Sequence, residues 1–333
     1  MNEWADIDRV TDSIRSTLPD RYGMSADADV ALLGISENAN FAVRDPSTGQ
    51  DGVIRVHRHN YHQRAAIESE LAWMAAIRRQ TDVLVCDPVA AVDREPVITL
   101  PVEGAPDRDA VMFTRVPGKN LTMDDATPAV YERLGAITAQ LHDHARHWRR
   151  PAGFYRYRWD LETMLTAEAR FGYWANHPRL TPADRRLLER AATLIADRLT
   201  HFSASEDEPV GLVHGDLHVL NLMVEGEDLW VIDFDDCGIG WYMQDIAPAM
   251  ACFEEGPLVD ELTNAWIRGY EQCRPLSSLE LDSLRDFVML RRMLVLGWSA
   301  THPLAQVPGG FGDRIVDVTV SAAEEYLRVS TNR

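Results

Sequence analysis

Lysine is nearly absent from this chain: Lys119 is the one example, and all the other Lys or Arg positions are arginine. Cysteine is also scarce. Cys86, Cys237, Cys252 and Cys273 are scattered without paired spacing, which argues against a zinc site and against a disulfide framework. No apolar run is long enough to span a bilayer. The opening residues Met1 to Asp8 lack a basic stretch followed by an apolar one, so no secretory signal is expected, and a reducing cytoplasm fits best. Positive charge is in short supply. The formal net charge of -19 argues against binding nucleic acid through phosphate neutralisation, which needs a surplus of Lys and Arg on one face. It leaves cationic small molecules compatible and speaks first of all to solubility. The Gly-x-x-x-x-Gly-Lys-Ser/Thr signature is missing too, which excludes a P-loop enzyme.

What remains is an ordered globular chain of 333 residues, long enough for more than one lobe. Apolar residues at Ile7, Val10, Ile14 and Leu18 suit one face of a helix. Short β-rich runs follow at Val30 to Ile35, Phe41 to Arg44, Val53 to His57, Val97 to Val102 and Val111 to Val116, separated by turn formers and interrupted by one helical stretch, Gln63 to Arg79. After Pro117-Gly118 the pattern becomes helical, with Ala129 to Trp148, Asp160 to Ala175, Pro182 to Phe202, Val259 to Cys273 and Ser278 to Ser299 as candidates. The expected fold class is α+β: a small antiparallel β lobe with one helix (1–116), then a larger, mainly helical lobe (117–333).

The chemistry is concentrated between His214 and Asp235. Gly211-Leu212-Val213 is apolar, polar residues follow, and then Leu222-Met223-Val224 and Leu229-Trp230-Val231-Ile232 flank the turn Glu225-Gly226-Glu227-Asp228. This reads as a β-hairpin whose entry loop carries Asp216 and Asn221 and whose exit carries Asp233. Taken singly, each of the three is an ordinary turn residue. Together they are a carboxylate that can meet an acceptor hydroxyl and two oxygen ligands for a metal ion on ATP, the parts that phosphoryl transfer needs.

His214-x-Asp216-x-x-x-x-Asn221 with Ile232-Asp233-Phe234-Asp235 resembles the aminoglycoside phosphotransferase family of kinase-like enzymes, and Asp233 to Asp236 with Gly240 and Gln244-Asp245-Ile246 is similar to stress response kinase A and type II homoserine kinase. The resemblance implies a two-lobed, protein-kinase-like fold, with ATP and Mg²⁺ as cofactors and a small-molecule hydroxyl as acceptor. Asp216 would be the catalytic carboxylate, orienting the acceptor and taking its proton late. Asn221 and Asp233 would bind Mg²⁺; Asp235 would add a metal contact or cap the next turn. His214 would brace the loop, and Asp245 would support its backbone as a buried, hydrogen-bonded acid. Adenine would meet the strand Met112 to Val116, at Thr114 and Val116, through backbone groups.

The chain departs from that family in its phosphate cation. Where a strand lysine is usual, Val53-Ile54-Arg55-Val56-His57 places Arg55, whose planar fork is no neutral replacement for an ammonium. Glu68 or Glu70 could pair with it, and spacing to Met74 and Ile77 favours Glu70. Lys119 reads as a surface residue. The turn Gly34 to Asn40 has a single glycine, leaving Ser36 and backbone amides to hold phosphates. His57, His59, His62, His142, His144 and His147 read as structural or surface residues. Two other functions stay open: a protein Ser/Thr kinase of the stress response type, and a nucleotide-binding pseudokinase suggested by Arg55.

Overall fold

The computed structural model describes residues 4–251, 253, 256, 258–302 and 312–330. Among them the chain is α+β and divides into two compact units that are not consecutive stretches. Met1–Lys119, Arg149–Arg156 and Met223–Asp235 make up one, and Asn120–Trp148, Tyr157–Leu222 and Asp236–Arg333 the other.

The first unit contains helix α1 (Ile7–Tyr22), strands β1 (Asp29–Ile35), β2 (Ala39–Arg44) and β3 (Asp51–Val56), helix α2 (Arg64–Gln80), and strands β4 (Leu84–Val85), β5 (Pro88–Val89), β6 (Ile98–Leu100) and β7 (Arg108–Thr114). β1, β2, β3, β7 and β5 form an antiparallel sheet in that order, with β6 also paired to β7. One face of the sheet carries Ala39, Phe41, Val43, Ile54 and Val56 into a core closed by Val10, Ile14 and Leu18 of α1. Alternation along β3 sends Arg55 to the opposite face, where it is nevertheless buried. There Glu70 of α2 meets it, and the Phe113 ring lies 5.1 Å from its guanidinium carbon. The hairpin Leu222–Glu225/Asp228–Val231 brings its second strand parallel to β4.

The second unit is mainly helical: α3 (Pro128–His147), α4 (Leu161–Leu165), α5 (Pro182–Ser205), α6 (Ile246–Met250), α7 (Val259–Tyr270), α8 (Ser278–Thr301) and α9 (Ile315–Ser330). α5, α6 and α9 pack on α8, while α3 packs on α7. The α3–α7 crossing is set by glycine: a Cβ at Gly135 would fall 2.0 Å from the Trp266 carbonyl oxygen, and one at Gly269 would fall 1.8 Å from that of Glu132. Strand Val210–Val213 pairs antiparallel with Gly238–Trp241.

Two segments differ from the periodicity reading. The helix expected from Asp160 to Ala175 stops at Leu165, and only a 3-10 turn, Trp174–Asn176, follows. Gly172, at φ 112°, is pressed against α8, where a Cβ would lie 2.9 Å from the Gly297 oxygen, so close packing displaces helical continuation. Helix α9 was not expected. No helix among the described residues is long and apolar enough to cross a membrane. Cys86, Cys237 and Cys273 are free thiols; Cys252 lies outside the described residues.

Candidate active site

In the first unit, one Arg55 nitrogen donates to both oxygens of Glu70, at 2.7 and 2.8 Å. Glu70 is fully buried, whereas Glu68 is exposed and pairs with Arg64 one helical turn away. The other terminal nitrogen of Arg55 stands 3.7 Å from Asp233 and 3.8 Å from Asp235. Burial works against the charge on Arg55, and Glu70, Asp235 and Asp233 outweigh it, so its pKa is raised.

The two aspartates at the hairpin exit have different surroundings. Asp233 sits at φ 63°, a left-handed conformation that Asp tolerates, and its side chain is 43% exposed. Asp235 is buried. Its Oδ2 accepts from the Asn38 amide at 2.8 Å and lies 3.0 Å from His62 Nε2; its Oδ1 is 3.6 Å from His57 Nδ1. Arg156 donates to its backbone carbonyl. Burial pushes the Asp235 carboxyl up, but His62, Arg55 and His57 hold it well below the usual carboxylate range. His57 is pushed well below its ordinary value by burial and by Arg55.

In the second unit, a loop between strand Val210–Val213 and the 3-10 turn Val219–Asn221 carries Asp216. Asp245 anchors this loop: its Oδ2 accepts the His214 N–H at 2.9 Å and its Oδ1 accepts the Gly215 N–H at 2.8 Å. Gly215 is required here, with φ 83° and with the Asp236 carbonyl oxygen 2.5 Å from where a Cβ would be. The Asp216 N–H then donates to His214 Nδ1 at 3.3 Å, so His214 braces the loop from inside.

The Asn221 amide nitrogen donates to the Asp216 carbonyl at 2.8 Å and to its Oδ2 at 3.2 Å. With that nitrogen committed, the amide oxygen is the atom left to ligate a metal ion. Arg291 of α8 donates to Asp216 Oδ1, and His218 Nε2 lies 3.3 Å from Oδ2. Burial raises the Asp216 carboxyl, but His218 and Arg291 outweigh it and hold it below the usual range. Asp216 is therefore ionised and aimed by three side chains, which suits a group that orients a hydroxyl more than one that strips its proton early.

The remaining expected nucleotide contacts are spread along the first unit. Ser36 is exposed in the β1–β2 turn, and its N–H donates to the Asn38 carbonyl. The Thr114 N–H donates to the Asp87 carbonyl and its hydroxyl accepts the Asp87 N–H, so both groups are engaged within the fold. The Val116 N–H makes no backbone hydrogen bond among the described residues. Lys119 is exposed. The histidines of α3 divide: His142 is buried, His144 stacks on Trp148, and His147 is exposed. Among the described residues no three His, Cys, Asp or Glu side chains gather as a ready metal cage. Sequence reasoning missed Arg291, His218 and Asn38, and it read His62 only as structural or surface.

The chain is similar to several known proteins. Amicoumacin kinase of Bacillus subtilis (strain 168) is 23% identical over 288 residues, which cover 83% of this chain and 81% of that protein. The structure of the microcompartment-associated aminopropanol kinase is similar with a TM-score of 0.86 at 36% identity, over 96% of this chain and 98% of that one. An amicoumacin kinase in complex with AMP-PNP, Ca²⁺ and Ami shares the fold, with a TM-score of 0.77 at 19% identity over 98% and 96%. The profile of the Phosphotransferase enzyme family (APH) matches residues 30–276, about three quarters of the sequence, and the chain belongs to that family of kinases.

Proposed function

We propose that this protein transfers the γ-phosphoryl group of ATP to a hydroxyl of a small amino alcohol or a similar molecule. One observation carries the reading: the Asp216 carboxylate is fixed by Asn221, Arg291 and His218 on a loop whose own amides are clamped by Asp245. In this reading Asp216 aligns the acceptor hydroxyl and receives its proton late, because a loose transition state rewards alignment and charge neutralisation more than basicity. The likeness to aminopropanol kinase at 36% identity supports an amino-alcohol acceptor, as does the net charge of -19.

Asn221 and Asp233 would hold a divalent cation, and their donors are an amide oxygen and an accessible carboxylate, the hard ligands that Mg²⁺ takes. When bound, such an ion neutralises charge on the nucleotide phosphates. Asp235 falls outside this ligand set in our reading, since Asn38 and His62 already meet its Oδ2 and His57 and Arg55 face its Oδ1. It holds Arg55 and the hairpin exit instead. Arg55, fixed by Glu70, would face the phosphates as the family's strand lysine does, and the Val116 N–H would meet adenine.

The test is ATP turnover against a panel of amino alcohols, homoserine and aminoglycosides, with and without EDTA. We expect an amino alcohol to be phosphorylated, EDTA to stop the reaction, and Asp216→Ala to lower kcat by about a hundredfold or more. ATP binding without turnover across the panel would favour a pseudokinase, and turnover by Asp216→Ala near the wild-type rate would sink the assignment of Asp216.

A further inference from the structure

Asn38 sits in the turn between β1 and β2 and is only 4% exposed, although Ser36 in the same turn faces solvent. Asparagine in a tight turn commonly bonds its own backbone. Here both ends of the side chain leave the turn. The amide nitrogen donates to Asp235 Oδ2 at 2.8 Å, and the amide oxygen accepts the Arg58 N–H, just past β3, at 3.3 Å. Only this orientation of the amide serves both partners, since a carboxylate accepts and a backbone N–H donates.

The backbone of the same residue closes the turn, for its carbonyl accepts the Ser36 N–H at 3.0 Å. Beside it Glu37 meets the Arg58 guanidinium at 3.0 Å, so the turn is tied twice to the segment that follows β3. The tie to Asp235 is of another kind. It is buried, it ends on a charged acceptor, and it reaches the hairpin exit two residues past Asp233. With Gly34 as the single glycine between Gly34 and Asn40, the turn has little backbone freedom of its own, and one buried side chain fixes where its tip stands.

We propose that Asn38 is a positioning residue for the nucleotide: it tethers the β1–β2 turn to the segment that carries Asp233, so that the groups facing the phosphates and the ligand for the metal ion are held in one frame before ATP arrives. Binding then spends less on ordering the turn. Loss of the tether should appear in the grip on the phosphates and not in the grip on adenine, because the strand that meets adenine, β7, is fixed independently by its pairing with β3, β5 and β6.

This inference rests on the kinase reading given above, and titration calorimetry with two ligands, ATP with Mg²⁺ and adenosine, tests it. Asn38→Ala is expected to weaken ATP binding by about tenfold and adenosine binding by less than about twofold. Asn38→Asp sets a second carboxylate against Asp235 and should weaken ATP binding at least as much. The exchange Asn38→Asp with Asp235→Asn again faces a donor with an acceptor and keeps one negative charge among Arg55, His57 and His62, so ATP affinity should return to within about threefold of wild type. Unchanged ATP affinity in Asn38→Ala, an equal loss for adenosine, or an exchange variant no tighter than Asn38→Asp would overturn the proposal; if Asn38→Asp does not fold, Asn38→Ala with its two ligands still decides. A wild-type protein that binds no ATP fails the kinase reading itself, whereas wild-type binding of ATP with no response to Asn38→Ala fails the tether alone.

Discussion

The two units hold their important carboxylates by different means. In the first, Glu70 and Asp235 are compensated by charge and by imidazoles: one Arg55 nitrogen meets both oxygens of Glu70, and Asp235 is faced by Arg55, His62 and His57. In the second, Asp245 is held by two backbone amides and the neutral imidazole of His142. An ionic cluster has mutually dependent members, because removing one leaves an opposite charge buried without its partner. An amide-held carboxylate loses less stability when one neutral donor goes, but what it positions moves. The first arrangement should therefore fail as a fold and the second as a catalyst.

The sharpest way to break that contrast is Glu70→Ala. Arg55 would stay buried on the outer face of β3 with only the more distant Asp233 and Asp235 to answer its charge. A loss of about 3 to 5 kcal/mol in unfolding free energy is expected from urea titration. The double variant Arg55→Met, Glu70→Leu should recover most of it, since a buried ion pair can often be replaced by apolar groups of similar volume at little cost. A double variant as unstable as the single one would mean that Glu70 contributes packing and not charge compensation.

Asp245→Asn comes next. The amide keeps the shape, and one oxygen can still accept the N–H of His214 or Gly215, but the NH₂ group then confronts the other buried donor. The expected loss is about 1 to 3 kcal/mol, smaller than for Glu70→Ala, with a fall in kcat out of proportion to it. Thermal unfolding alongside kinetics checks the pair; a stability loss matching that of Glu70→Ala would erase the contrast.

What could be read beforehand follows the same division between local and distant interactions. The sheet, α2 and the loop from His214 to Asp235 are carried by periodicity and by residues close in sequence. Glu70 is separable from Glu68 because Met74 and Ile77 mark the buried face of the helix, and both are fully buried with Glu70. The partners that tune the site are not legible in this way. Asn38 and Asp235 are 197 residues apart, and Arg291 and Asp216 are 75 apart, with only the dipeptide Arg291-Arg292 on an apolar helix to mark the latter. Nothing local distinguishes which of those two arginines turns toward Asp216 and which toward the Ala251 carbonyl. Helix α9 was hidden by its composition, because Val316, Val318, Thr319 and Val320 favour strands in isolation. Its buried Ile315, Thr319, Ala323 and Tyr326 nevertheless recur at helical spacing. The helix expected after Asp160 failed for the opposite reason: its pattern was helical, but Gly172 is fixed by contact with Gly297 and Thr301 of α8.

Arg291→Met is the smallest perturbation of stability and the most direct test of what surrounds Asp216. The Arg291 side chain is 13% exposed and that of Asp216 22%, and Asn221 and His218 remain on the other carboxylate oxygen when Arg291 is gone. The loss in unfolding free energy should therefore be about 1 kcal/mol, toward the range of partly solvated pairs. Asp216 would stay ionised at neutral pH, because an aspartate needs no cation for that. What it loses is one of the contacts that fix its rotation, together with the Arg291 contact to the Gly215 carbonyl at 3.3 Å. If alignment is the contribution of Asp216, kcat should fall about tenfold with little change in the KM for ATP. If basicity were its contribution, releasing the carboxylate from a cation would make it a stronger base, and kcat would rise. The sign of the change in kcat thus distinguishes the two roles.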